Sequence, residues 1–231
     1  MTGEERQPPR GDEAGLLNVL STEHWSLLAT RSLTYSESLC RVTMFLSILS
    51  GSVITLALIA QADHFGDTFV LITILILSVV LFVGLTTAVR LGKLNEDDLR
   101  WVMGMNRLRH AYMEKYPELA PYFVASSHDD FAGIRLTTGF VAPQPRGLGQ
   151  LGHGVQTLPG MISIISAVVA AALGGLIAHA LGGSRWVVLA SAVAAFLLIG
   201  LLILALGYRS FVRFRDGFVP VFPSADAPKS Q

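Results

Sequence analysis

The chain alternates between two kinds of text. Four stretches, residues 42–62, 68–89, 155–184 and 186–208, contain no Asp, Glu, Lys or Arg, and the polar residues collect between and around them. A helix rises about 1.5 Å per residue, so roughly 20 residues cross the ~30 Å hydrocarbon layer, and each stretch is long enough. Helices are the spanning form these runs allow, because an unclosed strand leaves backbone groups unpaired in lipid. The predicted class is all-α: an integral membrane protein with four transmembrane helices in two hairpins, plus cytoplasmic helices.

Ahead of the first span, Leu28, Tyr35, Val42 and Leu49 recur every seven residues, and Trp25, Leu39 and Leu46 continue a second stripe that Ser32 interrupts. This predicts one helix from about Ser21 through the span, packed on a neighbour or on its own chain. After the second span, Asn95 and Asp98 have the spacing of a capping box, and Glu96, Asp97 and Asp98 put negative charge in a first turn. A new helix is therefore expected there, with Trp101, Met105, Leu108 and Tyr112 as its apolar face and Pro117 as its stop. The stretch from 117 to 159 is rich in Gly and Pro and reads as a linker with one short helix after Ser126 or Ser127. The expected organisation is a disordered polar tail (1–14), a cytoplasmic helix leading into span one (15–40), a first hairpin (41–90), a cytoplasmic helix and linker (91–157), a second hairpin (158–208) and a cytoplasmic tail (209–231).

Composition agrees. Hydrophobic residues make up 52% of the 231 and charged residues 15%, too little polar surface to keep a water-soluble domain of this size dispersed. Lys plus Arg and Asp plus Glu both total 17, so net charge gives no argument for nucleic acid as a partner. Placement is informative where sign is not. Four basic residues precede span one, none separates spans one and two, eight lie between spans two and three, Arg185 alone separates spans three and four, and four follow. The positive-inside rule then puts both termini in the cytoplasm of a plasma (inner) membrane. The lone cysteine, Cys40, has no partner for an internal disulfide and reads as a free thiol.

Candidate chemistry is sparse. Gly147, Gly149 and Gly152 match a dinucleotide fingerprint by letter, but they follow Pro143 and Pro145 and lack an acid about 20 residues on, so they read as linker. His128, Asp129 and Asp130 are the one compact set of metal-ligand types. Consecutive helical residues diverge by about 100°, so two at most reach one ion, and the expectation is a solvated helix start. The spans hold no carboxylate, Lys or Arg, which argues against proton relays, ion-coupled carriers and voltage sensors. His179, near the outer end of span three, is explained by an interfacial hydrogen bond. No nucleophile, base and orienter come together, so neither an enzyme nor a cofactor is expected.

Small residues form the stronger signal. In span three, Ser163, Ala167, Ala171 and Gly175 recur every four residues beside Ser166, Ala170, Gly174 and Ala178; span one offers Ser47, Gly51 and Thr55. Such rows let helix backbones approach closely, and in lipid that contact drives association. Span three is the expected buried helix. Hydroxyls in the same rows leave a pore as the alternative. Ser47-Ile-Leu-Ser against Ser163-Ile-Ile-Ser, and Gly84 against Gly200 within similar pentads, echo one another at offsets of 116 to 118 residues, as two duplicated hairpins would.

The stretch NEDDLRWVMGMNRLRHAYMEKYPELAPYF, residues 95–123, resembles an uncharacterised family of bacterial membrane proteins, and the likeness implies no activity. The layout of residues 15–116, a helix, two spans and a helix, is similar to that of the SLATT two-span proteins, which implies a membrane effector acting downstream of nucleotide signals; this chain adds a second hairpin. The expected function is a homo-oligomeric, non-enzymatic structural or assembly component, with the lipid bilayer and a cytoplasmic protein reached through residues 15–40 and 95–116 as partners. A pore or effector is the alternative.

Overall fold

The computed structural model describes residues 11–138 and 157–224. Among them every regular element is helical: α1 (Gly11–Asp63), α2 (Asp67–Lys115), a 3₁₀ turn (Pro117–Tyr122), α3 (Phe131–Thr138), α4 (Leu158–Ala180) and α5 (Arg185–Asp216). α1, α2, α4 and α5 are each long and apolar enough to cross a membrane. The glycine fingerprint at 147, 149 and 152 lies outside the described residues.

Three boundaries differ from the sequence reading. α1 begins at Gly11, inside the stretch expected to be a polar tail, and then runs unbroken through the first span. α2 passes straight through Asn95. A capping box starts a helix only where the preceding residues leave helical geometry, and here Leu91 and Leu94 are buried in the core and hold the backbone helical. The acids have other work: Asp98 accepts from Arg31 Nε at 2.7 Å and Asp97 from Arg100 at 3.2 Å. At the far end, α5 runs on to Asp216, into the expected tail. Pro117 does stop α2, at Lys115.

The chain forms two compact units. The apolar one contains residues 35–96 and 157–218. Its α1 and α2 segments meet at a tight reversal where His64 and Phe65 take positive φ, 49° and 64°, and the Asp63 carboxylate accepts from Phe69 N–H at 2.7 Å. α4 opens on Thr157, whose hydroxyl accepts from Gly160 N–H at 3.2 Å, with Pro159 in the first turn where its missing donor costs nothing. It closes on Gly182, at φ +77°, with Gly183 N–H donating to Ala178 O at 2.9 Å.

α4 is the central helix of this unit. In its most apolar window 39% is buried, against 11%, 17% and 0% for α1, α2 and α5. One face, through Ile162 and Val169, joins Val42 and Phe45 of α1 and Val80 and Ala88 of α2 in the core. Here Gly84 lets α2 approach: a Cβ on it would collide with the Ser166 hydroxyl and stand 3.0 Å from the Phe45 ring. The other face meets α5, where a Cβ on Gly174 would lie 2.8 Å from the Ala195 methyl and one on Gly175 would lie 3.4 Å from that of Ala192. At the entrance to this unit Glu37 accepts from Arg41 at 2.9 Å and Arg90 at 3.0 Å; these hydrogen bonds and charges hold its carboxyl below the usual range.

Gly84 thus tests the packing. Gly84→Val is expected to lower stability by about 1–3 kcal/mol through overpacking, read as an earlier thermal transition of the detergent-solubilised protein. Gly51→Val places the same side chain where nothing lies within 4 Å, and its transition should stay close to wild type.

Candidate functional site

The polar unit contains residues 11–34, 97–138 and 219–224. Its interior was legible only in part. Of the expected apolar face, Met105 is buried while Trp101, Leu108 and Tyr112 are half-buried; the buried positions are Val102, Met103, Met105 and Asn106. Asn106 draws the face around. Its amide donates to His128 O at 2.7 Å, and its oxygen accepts from Arg109 at 2.7 Å and Thr137 at 2.9 Å, so a fully buried polar side chain is satisfied.

His128, Asp129 and Asp130 do lie at a helix start, that of α3, but it is buried where a solvated one was expected. Both aspartates are buried, because each holds the C-terminal segment. Asp129 Oδ2 accepts from Arg107 Nε at 2.7 Å and Val221 N–H at 2.9 Å, and Oδ1 accepts from Phe222 N–H at 2.8 Å. Asp129 N–H returns a bond to Phe222 O at 3.3 Å. Asp130 caps α3 by accepting from Gly133 N–H at 2.7 Å, and its other oxygen takes both the amide and the hydroxyl of Ser224. His110 stacks on the Phe222 ring at 4.0 Å with 18° between planes. Gly133 is required by space, since a Cβ there would overlap the His128 carbonyl.

Electrostatics follow from this. Burial alone raises the Asp129 carboxyl, but the donations of Val221 N–H, Arg107 and Phe222 N–H outweigh it and hold the group below the usual range. Asp130 behaves alike: burial raises it, and Ser224 and Gly133 bring it down further. A carboxylate with both oxygens occupied and a depressed pKa is a poor proton acceptor near neutrality. The geometry therefore makes a latch, and among the described residues no three His, Cys, Asp or Glu side chains stand together as a metal site.

On the α1 and α2 segments of this unit, Arg31 grips Asp98 with two bonds, 2.7 and 3.3 Å. Arg109 lies nearby, and burial, then the Arg31 charge, lowers its pKa. Burial, then Arg109, also pushes His24 down, with its Nδ1 buried and without a hydrogen-bond partner. Gly104 admits Leu27, whose methyl would stand 3.0 Å from an added Cβ.

The ten small residues singled out for helix packing lie in the apolar unit and divide by helix. Ser166, Ala167, Ala170, Gly175 and Ala178 are buried; Ser163, Ala171 and Gly174 are half-buried. Ser47 and Gly51 are exposed on α1. His179 is exposed as well, at the end of an open apolar groove of about 520 Å³ between α4 and α5 that Ala171, Gly175 and Ala192 also line. Sequence reasoning missed the docking of residues 221–224; the available signal was Val221-Phe222, an apolar pair set between Pro220 and Pro223. No protein-family model, curated protein or solved structure matches the chain.

Both depressed aspartates contribute stability that is complete above the unfolded carboxyl pKa, near ~3.9, and lost as pH falls through their folded values. His24, also lowered, contributes fully above ~6.5 and declines as pH drops below it. Protection of the Val221, Phe222 and Ser224 amides against hydrogen exchange, taken relative to the unfolded chain at the same pH, should fall below about pH 4, and constant protection down to pH 3 would contradict the latch. His24→Gln should remove the earlier step, below about pH 6.5, and leave the acid step in place. Asp129→Ala, which strips two amides and Arg107 of their acceptor, should cost this unit about 1–3 kcal/mol and make the C-terminal segment the first site of proteolysis.

Proposed function

We propose that the chain is a multi-pass plasma (inner) membrane protein, with both termini cytoplasmic, that works as a homo-oligomeric, non-enzymatic structural or assembly component. The observation that carries this reading is how the acid cluster is used: Asp129 and Asp130 are consumed in holding residues 221–224 of the same chain. The basic flanks of the spans support the orientation. A permeation role finds less support, because the Ser166 hydroxyl donates to Ile162 O at 2.8 Å and packs where Gly84 makes room. The cytoplasmic partner then belongs on residues 15–40 and 95–116, whose outer surface carries Trp25 and Leu33, 68% and 71% exposed.

A second reading, a membrane effector, draws on the unbroken courses of α1 and α2, each about 50 residues long, which fit the helix, two spans and helix of the SLATT layout. Current across bilayers reconstituted with purified protein would favour it over the scaffold.

Topology and assembly are tested together in a Cys40→Ser background. A membrane-impermeant maleimide added to intact cells should label His64→Cys and Leu181→Cys, and should reach Lys93→Cys only after permeabilisation. The reverse pattern overturns the orientation. The detergent-extracted protein should have several times the 24.9 kDa monomer mass, and a strict monomer rejects the oligomeric reading.

A further inference from the structure

The groove between α4 and α5 has a length and two unlike ends that select what it can hold. Ala171, Ala172 and Gly175 of α4 and Ala192 of α5 line it, side chains too short to fill the space beside the two helices. On α4 the lining runs from Val168 to His179, about 17 Å of helix. Val168 lies near the middle of α4 (Leu158–Ala180) and His179 near its end. Half of the ~30 Å hydrocarbon layer is about 15 Å, so the groove covers the depth of a single leaflet. A helix from a second copy crosses both leaflets and needs a seat along the whole of α4. One acyl chain of a lipid reaches only from the headgroup level to the midplane.

The two ends then differ as the two ends of a lipid do. At the midplane end the lining is Val168 and its alanine neighbours; at the other end it is the exposed imidazole of His179. Arg185 opens α5 on the same helical face as Val188 and Ala192, three and seven residues on, and both of these line the groove. Arg185 is exposed, and among the described residues it enters no ion pair. Ser184 gives the first-turn amides of α5 no side-chain cap, which leaves them open at the same level. Trp186, 80% exposed beside Arg185, is a residue type that settles among headgroups and fixes the depth of this end. An apolar channel one leaflet deep, with a cation and an imidazole at its mouth, complements a phosphate carried on an acyl chain.

We propose that this groove binds one acyl chain of an anionic phospholipid from the leaflet on the side of the turn between α4 and α5, with Arg185 and His179 holding the headgroup phosphate. The site requires only that α4 and α5 cross a bilayer, so it stands apart from the scaffold reading and from the orientation of the termini.

The test uses full-length protein in phosphatidylcholine liposomes that carry a small fraction of a phospholipid with a photoactivatable diazirine at the end of one acyl chain. The probe has either a phosphatidylglycerol or a phosphatidylcholine headgroup, and labelled peptides are located by mass spectrometry. Labelling at residues 168–176 should be roughly fivefold higher with phosphatidylglycerol, the effect of one basic residue near a lipid surface. Leu197 and Leu198, exposed on α5 at a similar distance from the turn, should show no such preference. Arg185→Gln should erase the preference at 168–176. Ala172→Phe, which fills the groove from an exposed position, should bring labelling there down to the level of Leu197 and Leu198, with a thermal transition close to wild type. Equal labelling by the two headgroups at 168–176, or a preference that survives Arg185→Gln, overturns the site. Labelling at 168–176 no stronger than at Leu197 and Leu198 makes the groove ordinary lipid-facing surface and overturns it too. Labelling on none of the long helices rejects the membrane reading along with the site.

Discussion

Polar groups inside hydrocarbon must close their hydrogen bonds within the protein, and the apolar unit meets this constraint almost entirely one helix at a time. Ser47 donates to Thr43 O, Ser52 to Ile48 O, Thr55 to Gly51 O, Thr73 to Phe69 O, Ser78 to Ile74 O and Ser163 to Pro159 O, each four residues back along its own helix. A hydroxyl closed this way presents its neighbours with little more than the volume of a small apolar side chain. Cohesion between helices then falls to contact distance, and contact distance is set by residues without bulk. Hence the importance of Gly84 against Ser166 and Phe45, and of Gly174 and Gly175 against α5.

This dependence on shape explains what was readable in advance. Charge-free runs, the small rows of span three and the stop at Pro117 are local signals, and α4 is indeed the most buried of the four long helices. Asn95 misled because a capping box competes with core burial of Leu91 and Leu94, and the competition is decided by partners far away in sequence. Asp129 misled for the same reason: its donors, Val221 and Phe222, lie more than 90 residues downstream. Periodicity cannot announce such a pairing. Asn106 turned the face of α2 inward by one residue through bonds to His128 and Thr137 that a hydropathy pattern treats as a penalty.

The echo between the two halves of the sequence does not carry over to the roles of the residues. Gly84 is a point of close approach, whereas nothing lies within 4 Å of a Cβ on Gly200. Ser163 sits half-buried in α4 while Ser47 is exposed on α1. If one ancestral hairpin gave rise to both, the packing surfaces have since been reassigned, with α4 serving partners on two sides.

The polar unit draws its residues from the beginning, the middle and the end of the chain. A ribosome delivers those parts in order, and the acceptors on Asp129 and Asp130 are made long before residues 221–224 that satisfy them. Closure of the latch must wait until α5 has been synthesised in full. Until then Asp129 has Arg107 and Asp130 has Gly133 as donors, and the backbone donors at 221, 222 and 224 are still to come.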